Sequence, residues 1–91
     1  KKEKYRILDL ILQEFDSEMT STFREVSQKL NIPYYTIHSL GLQLIELGYL
    51  DNVHELAVDN LEYYGNRMAT ISQRGRFFLK IEGGLKSKYK Q

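Results

Sequence analysis

The chain contains no cysteine. Disulfide scaffolds, thiol catalysis and cysteine-ligated zinc are therefore excluded, and a reducing compartment is allowed. Long hydrophobic runs are missing as well, and the opening Lys1-Lys2-Glu3-Lys4 is not followed by an apolar stretch of signal-peptide length. No membrane contact by this segment is expected, and the expected location is cytoplasmic. Charge of one sign is lacking too, since 13 basic side chains face 12 acidic ones for a net charge of +1. Affinity for a polyanion then has to come from the placement of charge rather than its total. Nor is there an internal repeat or a low-complexity segment.

Chemistry has little to stand on. The two histidines, His38 and His54, lie in different elements and make no E-x-x-H or H-x-x-x-H spacing. A Gly-rich phosphate loop and a G-x-S-x-G elbow are both absent from the sequence. The acidic residues are spread as on a solvated face. No catalytic residue, metal or cofactor is expected, and the chain is not expected to be an enzyme.

What is present suits one ordinary globular domain. The 91 residues, 42% hydrophobic and 27% charged, are enough for a single small core. Lys1, Lys2, Lys4 and Arg6 cluster at the start, and Arg67, Arg74, Arg76, Lys80, Lys86, Lys88 and Lys90 crowd the last quarter. Between them, Glu46 to Glu62 carries Asp51, Glu55 and Asp59 and no Lys or Arg. Such clusters suit soluble tails as well as a binding face.

Periodicity predicts the elements. Tyr5, Leu8, Leu12 and Phe15, widened by Ile7 and Ile11, mark a helix from Lys4 to Phe15 with one buried side, and Asp16-Ser17-Glu18 break the periodicity. Met19-Thr20-Ser21 fits a short strand. Ser21 or Thr22 can cap a second helix, with Glu25 spaced to reach back to the Thr22 N–H. Phe23, Val26 and Leu30 mark that helix's buried side. Asn31 tolerates the left-handed conformation that ends a helix, and Pro33 suits the first turn of the next. Ile37, Leu40, Leu44 and Leu47 mark the third helix, and Gly48 should stop it. Beyond Leu50, a hairpin is predicted, with its tip at Asp59-Asn60 or Gly65-Asn66 and its returning strand from Arg67 to Ile71. Ser72 should cap a last helix holding Phe77, Phe78 and Ile81, with Gly75 marking a close approach and Gly83-Gly84 ending it. Only one of Phe77 and Phe78 can face the core. Leu85 to Gln91 reads as a basic tail or as the stub of a longer, membrane-tethered protein. The domain is expected over 1–85 and the tail over 86–91.

The run Glu25-Val26-Ser27 with Lys29-Leu30-Asn31-Ile32-Pro33, then Thr36-Ile37 and Leu44-Ile45-Glu46-Leu47-Gly48-Tyr49-Leu50, resembles the helix-turn-helix core of winged-helix transcription regulators. Ile71-Ser72-Gln73-Arg74-Gly75 resembles the step into their last helix. The fold this implies is mainly α with a small β-hairpin, an α+β winged helix-turn-helix with a three-helix core, a two- to three-stranded wing and a C-terminal helix. The function it implies is regulator-like binding of double-stranded DNA, with the third helix in the major groove, and pairing of two copies through the terminal helix.

Turning 100° per residue from Ile37 leaves Tyr35, His38, Ser39, Leu42 and Glu46 on the side away from the core, with Gln43 at the border. Gln43 suits bidentate contact with adenine. Tyr34, Tyr35, Thr36 and Ser39 can donate to phosphates, Arg24, Lys29 and Arg67, with the opening lysines, are the candidates for the backbone, and His38 and the wing residue Asn66 complete the DNA-binding candidates. For each cation the alternative is an ordinary solvated charge. The alternative function is a protein-protein or dimer contact without DNA binding, through Tyr35, Leu42, Tyr63, Tyr64 and Phe77 with Tyr34 beside them, because tyrosine suits half-wet interfaces.

Overall fold

The computed structural model describes residues 2–18, 20–53 and 68–85. In chain order the elements are α1 (Lys2–Glu18), β1 (Thr20–Thr22), α2 (Phe23–Leu30), α3 (Tyr34–Glu46), β2 (Leu50–Asn52), β3 (Met68–Ile71) and α4 (Gln73–Lys80). The described part is mainly helical, with one small antiparallel sheet in the order β1-β3-β2. Thr20 pairs with Thr70 and Leu50 with Ile71, so the central strand β3 joins the chain's first half to its second. His54, Tyr63, Tyr64, Asn66, Arg67, both candidate tips and the 86–91 tail lie outside the described residues. Among the described residues no helix is long and apolar enough to cross a membrane.

The apolar stripe of α1 is buried as its spacing predicts, through Leu8, Ile11, Leu12 and Phe15. The apolar period stops at Phe15, but the helix itself is longer than the predicted Lys4 to Phe15 and runs on to Glu18. Asp16 is satisfied there by Lys80 at 3.0 Å and Arg76 at 3.3 Å, both on α4, so a polar residue continues the helix where the apolar period stops. Those two cations, Lys80 foremost, hold the Asp16 carboxyl below the usual carboxylate range.

Local signals set the two turns of the central unit. Thr22 caps α2, and Glu25 completes the reciprocal pair of bonds. Asn31 takes φ 55°, and its N–H reaches back to Gln28 and Ser27. Pro33 sits one place earlier than predicted, as the residue preceding α3, with φ −53°. Phe23, Val26, Ile37 and Leu44 close the core with Phe15, whose ring meets Phe23 edge-on at 6.0 Å. Each such side chain contributes about 1.5–3 kcal/mol when fully withdrawn from water. Gly41 belongs to this contact, because a Cβ there would lie 2.5 Å from the tip of the Phe23 ring.

Leu47 departs from the predicted stripe. It is 48% exposed, because it is the cap residue of α3 and Gly48, at φ 84°, turns the chain away after it. Leu50, the first residue of β2, is buried in the core instead. At the other turn Gly75 is pressed against backbone, where a Cβ would stand 2.1 Å from the Tyr49 carbonyl oxygen. Phe78 is buried and Phe77 exposed, which divides the adjacent pair as predicted. Ile81 caps α4 rather than lying within it, and is 70% exposed. Leu85 is no part of a loose tail: it is buried, and its N–H donates to the Asp9 carboxylate at 2.7 Å. The chain thus returns to α1 after α4, with Gly84 at φ 69° against the same carboxylate.

Candidate functional site

Helix α3 carries the predicted surface, and the side chains of that surface divide into two groups. Tyr35, at 83% exposure, stands in solvent with Ser39 and Glu46. Tyr34, Thr36, Leu42 and Gln43 are half-buried. His38 is also half-buried rather than open, because its ring lies against Phe23 at 5.9 Å and Tyr34 at 5.6 Å. Tyr34 and His38 are four residues apart, which sets their rings on one side of the helix. Arg24 of α2 completes the stack, with its guanidinium carbon 5.5 Å from the centre of the Tyr34 ring. The stack therefore runs outward from core phenylalanine to surface cation.

The amino end of α3 has no side-chain cap. The Pro33 carbonyl accepts the Thr36 N–H at 3.0 Å and the Ile37 N–H at 3.1 Å, so the proline starts the helix without covering it. Such an end carries partial positive charge. At the carboxyl end Glu46 and Asp51 are exposed, and the Arg74 side chain stands beside Gly48 just beyond it. The amino end of α3 therefore joins an uncapped terminus to the Arg24 cation, whereas the carboxyl end carries charge of both signs.

The other cations are distributed differently. Lys29 pairs with the Glu18 carboxylate across the α1–α2 junction, which raises its pKa above the usual lysine value. It is therefore already engaged, unlike the free phosphate contact its sequence position implies. Lys4, at the opposite end of α1, lies on the same depression as Tyr35. Together with Ile7, Thr36, Ser39 and Leu40 they line this open depression, of about 340 Å3, between α1 and α3. Its floor is apolar, its wall is the Tyr35 ring, and its rim carries two hydroxyls and one ammonium.

Phe77 lies on α4, which packs against α1. Asn66, Arg67, Tyr63 and Tyr64 fall outside the described residues. Two features are absent from the sequence reading. Arg74 lies over the Tyr49 ring at 5.4 Å, and that ring stacks on Phe78 at 4.4 Å and 8°. The depression beside Lys4 is the other, and its only linear trace is Lys4 preceding Ile7 on an otherwise buried stripe. Among the described residues no group of histidine and carboxylate side chains could hold a metal ion.

No family model matches the chain, and no curated protein or solved structure matches it either.

Proposed function

We propose that the chain is a winged-helix module that binds duplex DNA, with α3 entering the major groove amino end first. The element order supports this reading: helix, strand, two helices across a tight turn, two paired strands and a last helix. The observation that carries it is the amino end of α3, which has no side-chain cap and lies beside Arg24. Helix-turn-helix proteins place the amino-terminal residues of the second helix against the bases. In this arrangement Arg24, Tyr34, Tyr35 and Thr36 hold phosphates, while Ser39 and Gln43 face base edges. Sequence discrimination is shallow, because Gln43 is the only side chain on the face suited to bidentate base contact.

Fluorescence anisotropy on random-sequence duplex across a salt series tests this. Binding with a dissociation constant on the order of 1 to 100 µM that weakens steeply with salt is the expected result. Arg24→Ala should lower the log-log salt slope by about one, the value of one phosphate contact. Binding that ignores salt, or an unchanged slope in the variant, would rule the arrangement out.

The depression beside Lys4 favours a second reading, contact with a protein. An apolar surface on a base-reading helix has little but thymine methyls to meet, whereas an apolar pocket with a polar rim is what a protein anchor fills.

A further inference from the structure

We infer that the depression between α1 and α3 receives an acidic peptide segment of a partner protein, anchored by one aromatic side chain. The inference rests on the protein-contact reading and names the chemistry of the partner. Ile7 and Leu40 supply the apolar floor, and the Tyr35 ring supplies a wall against which an aromatic ring packs edge-on or offset. At about 340 Å3 the depression is near the lower end of the range for ligand sites, about 300–1,000 Å3, which suits one side chain rather than a large ligand.

The sign of the partner follows from the rim. Lys4 is exposed, and none of the ion pairs among the described residues involves it. Thr36 and Ser39 offer hydroxyl donors at the opposite rim. Carboxylates flanking the anchor would meet donors on both sides. The chain's own final residues do not fit this rim, because Lys86, Lys88 and Lys90 repeat its charge. Tyr35 and Ser39 also lie on the face assigned to DNA, so peptide and duplex exclude one another wherever both bind.

The test is a chemical-shift titration of the isotope-labelled chain with the capped pentapeptide Asp-Glu-Trp-Asp-Glu. Two control peptides accompany it, one with Lys for every acid and one with Ala for Trp. The expected result is saturable shifts centred on Ile7, Tyr35, Ser39 and Leu40, with a dissociation constant of about 1 mM or tighter. Both controls should fail to produce them. Lys4→Glu should weaken binding about fivefold or more, as expected for reversing one exposed ion pair. Tyr35→Ala should abolish the saturable shifts, and both substitutions are at exposed positions that leave the core intact.

Equal binding by the basic peptide would overturn the acidic partner while leaving protein contact standing. Silence from all three peptides would overturn both. Shifts at Ile7 and Leu40 caused by duplex DNA and by no peptide would assign the depression to DNA. Concentration-dependent self-association centred on the same residues would assign it to a second copy of the chain, and would likewise overturn the proposal.

Discussion

At the amino end of α2 the Thr22 hydroxyl accepts the Glu25 N–H at 3.0 Å and the Glu25 carboxylate accepts the Thr22 N–H at 3.2 Å, whereas at the amino end of α3 Pro33 supplies neither bond. The start of α4 resembles that of α2. Its Ser72 oxygen accepts the Gly75 N–H at 2.9 Å, and the same hydroxyl donates to the Gly48 carbonyl at 2.6 Å. Two helices thus have ends closed by their own side chains, and the third has an end left to solvent or to a partner. The closed ends face inward tasks. Thr22 ends β1 as it begins α2, and Ser72 ties α4 to the turn after α3. The open end belongs to the helix whose outer side is otherwise unused by the fold. A short hydrogen-bonding residue at Pro33 would be compatible with its extended backbone, so the missing cap is a property of the residue chosen there.

The closed ends should be the costly ones to disturb. The largest effect is expected at α4, where Gly75→Ala drives a methyl into the Tyr49 carbonyl. Backbone cannot step aside as a side chain can, so the variant should lose about 3 kcal/mol or more in urea unfolding. A loss below about 1 kcal/mol would mean that the turn after α3 shifts freely. At α2, Thr22→Ala should cost about 1 kcal/mol by the same measurement. Glu25 adds a pH signature. The Thr22 N–H, with the Thr22 hydroxyl and Ser21 behind it, holds its pKa below the ordinary value of 4.5. A carboxyl lowered in the folded chain stabilises it above that ordinary value, and the contribution disappears as pH falls through the lowered one. Glu25→Gln should therefore flatten the decline in melting temperature below pH 4.5 while preserving its shape at neutral pH. An acid limb of unchanged slope would show that the carboxylate does not close this end.

The caps are legible in the sequence because each depends on residues three apart, as in the Thr22–Glu25 pair and the Ser72–Gly75 bond. Asn31 and Gly75 are legible by residue type alone, although what crowds Gly75 is the distant Tyr49 carbonyl. Contacts between distant segments are not legible. Nothing near Asp9 signals that its carboxylate receives the Leu85 N–H from 76 residues away, so Leu85 reads as tail. Leu47 continues a helical stripe by spacing alone, yet the helix ends at Glu46 and the turn at Gly48 leaves it outside. The candidate surface suffers in the same way. Spacing puts His38 on the outer side of α3, but the Phe23 ring from α2 reaches it and half-buries it. The depression needs Lys4 and Tyr35 together, and a helical wheel for α1 says nothing about which helix passes its first turn.

The smallest effect on stability, and the sharpest on function, is expected at the open end. Pro33→Asp gives α3 the cap it lacks, worth about 1 kcal/mol. It also frees the unfolded chain from a proline, which costs about 0.4–1 kcal/mol. The two nearly cancel, so the melting temperature should hardly move. Binding should move. A carboxylate at the amino end takes up N–H groups there and repels a phosphate brought to that end, and a loss of about fivefold in duplex affinity follows from an interaction of helix-end size. Pro33→Ser separates the two causes, because it occupies the same N–H groups without charge. If both variants weaken binding alike, the N–H groups themselves hold the duplex. If only Pro33→Asp does, the positive field of the end is what matters. If neither does, α3 does not approach DNA by its amino end, and the contrast between open and closed helix ends has a purely structural origin.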